Sequence, residues 1–523
     1  MAQGFTTNSV ISSGETDNGA IVPFATTEEG HMEVAIHAPR LPFGSVHVEN
    51  LKPVFQTDGV YGLNLGQVAY GSSGSGSVTT VNSAFSCSSG TTIYSQAFLQ
   101  GRKRLRYRPG QGIVARFAGL FTTPVNNSYQ VIGVGHAEDG VFFGYKNSDF
   151  GILYSNRGVR EVQTLTVTTG ATSNGNVTIT LNGTAHTIAV TNASNIQRTV
   201  WEISQGSYTG WKAEPRGSTV LFIADAVGNA AGAFTFAAGG TGAVATFAET
   251  RAGSAATELF IPQDDWNGDK LDGTGASGFT IDPTKGNVYE IGIQYLGYGA
   301  LIFKVEVTLE NKNNPDFVVI HTIKLPNTLT NTSFGNPSFP FSMAVYSAGS
   351  TTDLTVKVGS FAGFIEGDKR LYGNRFSYFN SLTTVGATNY QALFTVFNTR
   401  YYAGVSNQAV INILDIAGAL KHTSPTIFFL IKNGNLAGNP NFTSYATQSC
   451  SYVDTSATTV TFSTNDQLIW SGHLGDTGEI DHSFINALEE VTLQPGEWVT
   501  LAAKAVTGTP SYVTGSLNTR EDQ

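Results

Sequence analysis

Residues 288–307 read VYEIGIQYLGYGALIFKVEV, and this run decides the fold. Tyr289, Ile291, Ile293 and Tyr295 fall on alternate positions, LGYG turns the chain, and Leu301, Phe303, Val305 and Val307 alternate again. Successive strand side chains point to opposite faces, so the pattern describes an antiparallel hairpin with one apolar face packed on a core. Working outward, Ile113–Thr122, Tyr129–Val134 and Val141–Tyr145 read as strands before the hairpin, and Met343–Tyr346, Leu354–Val358 and Phe361–Ile365 close a sandwich after it. The pattern begins near residue 98, breaks off near 160, resumes near 254 and ends near 366. The predicted domain is therefore discontinuous, 98–160 plus 254–366.

The interruption, 161–253, reads as a small inserted α+β domain. Val177, Ile179 and Leu181 run into Asn182-Gly183, and Ile188 and Val190 return; Asn-Gly between alternating apolar residues is a strong type I′ hairpin signal. Asn192–Ser204 is the clearest helix candidate outside the C-terminal third, with Ser194 as a candidate N-cap and Ile196, Val200 and Ile203 on one face. From 367 to 523, short strands such as Leu393–Asn398, Ala409–Ile413, Thr426–Ile431 and Trp498–Ala503 are spaced by turns, indicating another sandwich. Residues 1–97 read as a polar arm to about residue 30, then a strand-rich anchoring region with Met32, Val34, Ile36, Val46 and Val48 in alternation. The run Gly71–Val78, GSSGSGSV, reads as a flexible loop or linker. The expected class is all-β, with multiple antiparallel jelly-roll or lectin-like sandwiches and under about a fifth helix against a typical third.

Composition narrows the function. Charged residues are 13% of the 523, against about 25% in an average soluble domain; so little charged surface is expected to face other subunits. The net charge of −10 repels a phosphate backbone and disfavours nucleic acid as a partner. The opening MAQGFTTNSVISSGETDNG has no basic region followed by an apolar one, so neither a leader nor membrane insertion is expected. Cys87 and Cys450 are too far apart for a disulfide framework and read as two free thiols.

Three sets of segments resemble structural proteins of tailed bacteriophages and some large viruses. The first is GHMEVAIHAPRLPFGSVHVENLKPVFQTDGVYGLN (30–64). The second lies in the split sandwich: RYRPGQG (106–112), AEDGVFFGY (137–145), FGILYSNRGVRE (150–161), DDWNGDKLDGTGASG (264–278) and LGYGALIFKVE (296–306). The third, VTLQPGEWVTLAAKA (491–505) and SLNTRED (516–522), is similar to the head domain of viral fibre proteins. The resemblance implies a virion component assembled in the host cytoplasm. It points to a tail, baseplate or fibre protein first and a capsid-decorating or vertex protein second. Its partners would be other virion proteins, with a homotrimer as the favoured oligomer.

Few residues suggest chemistry. Asp264, Asp265, Asn267, Asp269 and Asp272 could offer oxygen ligands to a hard cation, but Lys270 and Ala276 occupy the positions where an EF-hand loop needs its glycine and its glutamate; an acidic loop capping the sandwich is the competing reading. Arg102, Lys103, Arg104, Arg106 and Arg108 form the one basic cluster, read as an interface with an acidic neighbouring subunit in preference to a phosphate site. His31, His37 and His47 share a segment without metal-ligand spacing. No GxSxG elbow, phosphate loop or dinucleotide fingerprint appears, so no enzyme and no cofactor are expected. Tyr295, Tyr298, Tyr401, Tyr402 and Trp266 read for the most part as core or subunit interface, with stacking on a host-surface glycan as the competing reading and the alternative function from a different class.

Overall fold

The computed structural model describes residues 13–15, 21–23, 51–308, 316–367, 373–421, 424–462, 467–475, 478–484, 491–508 and 510–523. Strands hold 59% of the described residues and helix 3%, so the all-β class is what the structure shows. Residues 1–50 form a unit of their own, described only as Ser13–Glu15 paired antiparallel with Ile21–Pro23. The alternating segments at 32–36 and 46–48, and His31, His37 and His47, lie outside the described residues.

The second unit, 51–523, opens with a two-sheet sandwich. One sheet has seven strands in the order Thr257–Pro262, Asp149–Asn156, Gly140–Lys146, Ser128–Gly135, Ser338–Ser347, Gln96–Arg106 and Val68–Ser73. The other carries Asp316–Ile323, Leu301–Val307, Asn287–Ile293, Ile113–Phe121, Thr355–Glu366, Ala84–Ser88 and Ser77–Val81, with Leu51–Asp58 also pairing Thr355–Glu366. All pairings are antiparallel. Consecutive strands repeatedly cross between the sheets, as in a jelly roll. The hairpin at 288–307 pairs Ile291 with Phe303, and both rings and chains of that face are buried with Phe117, Phe143 and Phe341. Phe341 stacks on Phe361 at 3.9 Å, joining the two sheets through their facing aromatic residues.

Two sequence readings change here. The sandwich begins at Leu51 rather than near 98, because the strands between 51 and 88 pair into its second sheet and Val68–Ser73 into its first. The run 71–78 is no linker: it is the corner at which the chain passes from one sheet to the other. Gly74 takes φ +64°, and a side chain on Gly76 would strike the Gln96 carbonyl at 2.0 Å, so small residues are dictated by close approach.

Residues 160–251 leave the sandwich between two strands that pair with each other, Asn156 opposite Thr257. They form a four-stranded sheet (Trp211–Arg216, Thr219–Val227, Arg160–Thr169, Val244–Arg251) and a three-stranded sheet (Thr184–Val190, Gly175–Leu181, Thr235–Ala237) around a core with Val177, Ile179 and Phe222. Asn182 and Gly183 both have positive φ, 49° and 81°, as a type I′ turn requires. The helix α1 spans Ile196–Ser204, shorter than the 192–204 expected, and its cap is Asn195, whose side chain accepts from Arg198 N–H at 2.9 Å. Ser194 sits outside in the left-handed region with φ 46°, its N–H bonded to the Ala171 carbonyl.

The C-terminal module, described from 373, is a second sandwich. Its sheets are ordered Asn374–Phe379, Ser511–Asp522, Val410–Lys421, Gly478–Ser483, and Asn435–Gly438, Ala457–Thr461, Gln391–Asn398, Trp498–Ala505, Thr426–Lys432, Gln467–Leu474. Phe394, Ile411, Phe428, Leu501 and Leu517 fill the space between.

Candidate functional site

The three parts meet along one joint, which the basic cluster helps to form. Along Gln96–Arg106, Leu105 is buried in the sandwich core, and alternation turns Arg104 and Arg106 to the other face. There they meet acids and acceptors of the C-terminal module: Arg102 with Glu497 at 3.3 Å, Arg106 with Asp522 at 3.5 Å and Arg108 with Asp522 at 2.7 Å. Arg104 donates to Gln408, and Lys432 of the C-terminal module pairs with the same Glu497 at 2.7 Å. Lys103 stands exposed. The acidic neighbour of Arg102, Arg106 and Arg108 is thus this chain's own C-terminal module, not a neighbouring subunit. Burial, with help from the nearby Arg160, lowers the Arg104 guanidinium to about 10.

At the corner where the insertion departs, Glu138 holds the parts together. It accepts from Ser406 Oγ of the C-terminal module at 2.7 Å and lies 3.9 Å from Arg160 and 3.8 Å from His136. Burial, then Arg104 and Arg160, push His136 well below the usual imidazole range, so the ring is neutral; its Nδ1 accepts from Glu138 N–H at 3.3 Å. Neighbouring Asp139 is raised by burial despite N–H bonds from Arg157, Gly335 and Asn336.

The insertion supplies the third contact. Glu214, fully buried, receives Arg216 on one oxygen and the Arg400 N–H on the other at 2.7 Å. Arg216 also donates to the Tyr401 carbonyl and lies 4.9 Å over the Tyr452 ring. Beside this pair, α1 divides its residues by helical geometry. Val200 and Ile203 enter the insertion core, whereas Trp201, 2% exposed, enters an aromatic cluster of the C-terminal module. It stacks on Phe442 at 5.8 Å and meets Trp498 edge-on at 5.9 Å.

Behind the end of α1 a cleft of about 360 Å³ opens between insertion and C-terminal module, lined by Trp201, Tyr208, Trp211, Phe442 and Trp498, with Lys212 and Arg400. That volume lies in the range of about 300–1,000 Å³ typical of small-ligand sites. Sequence reasoning missed these aromatic residues because they are scattered between 201 and 498. The aromatic residues it selected do not assemble. Trp266 is buried against Phe150 at 6.0 Å, Tyr295 packs on Tyr107 at 5.0 Å, Tyr298 is exposed, and Tyr401 is buried beside Val162 and Ile223 of the insertion. Tyr402 bonds the Thr447 carbonyl at 3.2 Å.

The acidic loop spends its oxygens on itself. Asp269 accepts from Leu271 N–H at 2.9 Å and Ser277 N–H at 2.7 Å; burial raises its carboxyl, but these bonds outweigh that and hold it below the usual range. Asp272 accepts from Thr274 N–H and Oγ1, Asn267 bonds Thr322, and Lys270 donates to the Asp264 carbonyl. Asp265 closes a single 3-10 turn. Among the described residues no group of three His, Cys, Asp or Glu is placed to hold a metal ion. Cys87 and Cys450 are buried free thiols, and burial pushes Cys87 up to about 12.

No known protein family matches the sequence, and no curated protein matches it. Among solved structures, a lectin from Bauhinia forficata in complex with GalNAc aligns over 60% of this chain and 97% of its own, at 8% identity and TM-score 0.23. The lectin UEA-II complexed with galactose aligns over 60% and 99%, at 6% identity and TM-score 0.21. An engineered GH43 glycoside hydrolase aligns over 68% of this chain and 48% of its own, at 9% identity and TM-score 0.21. Similarity at this level assigns neither family nor activity to the chain, which is described by its architecture: an all-β protein of two antiparallel sandwiches, with a small α+β element between them.

Proposed function

We propose that this chain is a non-enzymatic architectural protein of a virus particle, exposed on its surface as part of a tail, baseplate or fibre. A capsid-decorating or vertex position is the second placement. The observation that carries the architectural reading is the joint. The two sandwiches are held by the ion pairs of Arg102 with Glu497 and of Arg106 and Arg108 with Asp522, and the insertion is held to the C-terminal module by the Arg400 N–H on Glu214, by Arg216 on the Tyr401 carbonyl and by the Trp201 cluster. A chain that transmits load or position between neighbours needs its modules fixed in this way. The sequence resemblance at 106–161, 264–306 and 491–522 supplies the virion context. Self-association is part of the proposal: Phe379, Leu382 and Tyr512 are 72%, 51% and 44% exposed along one end of the sheet formed by Asn374–Phe379, Thr383–Val385 and Ser511–Asp522, and apolar edge surface of this kind favours closure by symmetric copies. The test is electron cryomicroscopy of intact particles with peptide mass spectrometry of the same preparation. The expected result is density for both sandwiches at a surface position with threefold local symmetry. Purified particles that lack the protein would end the proposal.

A further inference from the structure

The cleft behind α1 combines two features. One wall is carbon-rich: Trp498 is half-buried with its indole N–H committed to the Gly434 carbonyl at 2.9 Å, and the buried Trp211 and Trp201 also line the cleft. The other feature is Arg400. Each neighbouring acid has its own cation: Glu214 has Arg216, Asp225 has Lys212 at 3.5 Å, and Glu497 has Lys432 and Arg102. Among the described residues the Arg400 guanidinium makes no ion pair, and its one hydrogen bond, to the Gly496 carbonyl, is long at 3.4 Å. Gly496, with φ +91°, is what admits it, since a side chain there would strike the guanidinium carbon at 2.1 Å. Burial lowers the guanidinium from its ordinary value, and Glu214, Asp225 and Glu497 pull the other way.

We infer that this cleft is a binding site for an acidic sugar unit of a glycan, with the pyranose ring against the half-buried Trp498 and the ring's carboxylate on Arg400. A purely apolar ligand would leave the guanidinium donors without acceptors, and an inorganic anion would leave the indole surface uncovered. A pyranose carrying a carboxylate satisfies both. Its C–H face packs on aromatic rings, its carboxylate takes two parallel N–H bonds from a guanidinium, and its hydroxyls reach polar groups at the rim. The rim offers the exposed Ser207 and Gln205, the latter with its amide N–H on Ser204 Oγ at 3.2 Å and its carbonyl left for a hydroxyl. Lys212, 57% exposed beside the mouth, adds long-range attraction for an anion. This site does not depend on where the protein resides, so its failure and that of the virion proposal are separable.

The experiment uses the full chain, with tryptophan fluorescence and saturation-transfer NMR as readouts. The probes are the methyl glycosides of glucuronic acid and N-acetylneuraminic acid, with methyl glucoside as the neutral comparison. Saturable binding of at least one acidic glycoside is expected, about tenfold or more tighter than the glucoside, which is the worth of a charge-assisted hydrogen bond. Arg400→Gln should reduce the acidic glycoside to the affinity of the neutral one. Ser207→Trp, placed at the exposed mouth, should abolish binding while the melting temperature stays unchanged; it keeps the test decisive if Arg400→Gln does not fold. The inference is overturned by no saturable binding at tens of millimolar, by equal affinity for acidic and neutral sugars, or by binding that survives Ser207→Trp.

Discussion

Replacing Trp201 by alanine tests whether α1 is a bolt between two modules or merely part of the insertion. The indole is 2% exposed and makes two ring contacts, both with residues of the C-terminal module. Truncating a buried Trp costs about 3–5 kcal/mol, and this figure already contains the two ring pairs, worth about 0.5–1.5 kcal/mol each beyond their area. Alanine returns a little, roughly 0.5 kcal/mol, as the better helix former. A net loss of about 3 kcal/mol is therefore expected, a large share of the roughly 5–15 kcal/mol that stabilises a typical domain. In urea, with a slope of about 1–3 kcal/mol/M, the transition that reports on the joint should move down by about 1 M or more. Hydrogen exchange locates the loss. Amides of Gln391–Asn398 and Trp498–Ala505, which carry the aromatic cluster, should lose protection, while those of Gly175–Leu181 keep it because Val200 and Ile203 still fill the insertion core. A change below about 1 kcal/mol, or loss of protection centred on the insertion's own sheet, would refute the division of faces along α1.

Three further outcomes follow from the same joint. Glu214→Ala removes a fully buried carboxylate and leaves the Arg216 guanidinium, 16% exposed, without its partner; denaturant titration should show a loss of about 3–5 kcal/mol, and a near-neutral effect would mean the pair contributes nothing to docking. Melting temperature should fall from pH 7 toward pH 5. His136, facing Arg104, Arg160 and Glu138, has a folded pKa depressed below 6.5, so the unfolded chain takes up its proton first and the stability it contributes drains as pH drops below about 6.5 toward the depressed value. His136→Gln should flatten that slope in part, leaving the smaller shares of His186 and His321, which burial also lowers; an unchanged slope contradicts the assignment. Deleting 162–252 with a short linker should leave the first sandwich protected in hydrogen exchange, because Asp149–Asn156 and Thr257–Pro262 stay paired, while the C-terminal module becomes sensitive to protease as Phe397, Phe442 and Trp498 are uncovered; a lost sandwich melt would show that the segment belongs to its core.

What the sequence revealed was whatever is encoded over short distances. The hairpin at 288–307 and the Asn182-Gly183 turn are legible because each strand's partner lies within a few residues and one face is apolar. The strands between 51 and 88 were not. Ser77–Val81 is an edge strand whose residues alternate between exposed and half-buried; it pairs with the adjacent Ala84–Ser88, but that strand's other partner is Thr355–Glu366, far along the chain, so no apolar periodicity marks the pair and no local pattern places it in the sandwich. The basic cluster was readable as an interface because four arginines within seven residues need acidic company. That the company is Glu497 and Asp522 depends on contacts 395 and 414 residues apart, which no local pattern holds. The aromatic cleft was missed for the same reason, while Trp266 and Tyr295, conspicuous in sequence, are consumed by packing.

The docking of Asp522 on Arg106 and Arg108 bears on how the molecule is made. Arg106 lies 416 residues ahead of the Asp522 carbonyl it binds, and synthesis at about 5–20 residues per second leaves it waiting roughly 20–80 s on the ribosome. In the later part of that interval, once its last strand, Thr355–Glu366, has been made, the first sandwich presents a strip of uncovered guanidinium groups where its partner will later seat. Charge on an open sheet face discourages the nascent domain from pairing with its neighbours on the same polysome. The arginines that later fasten the joint thus first act as a solubilising guard, and swapping them for apolar residues of similar size could yield a joint that is stable once formed yet a nascent chain that aggregates before it closes.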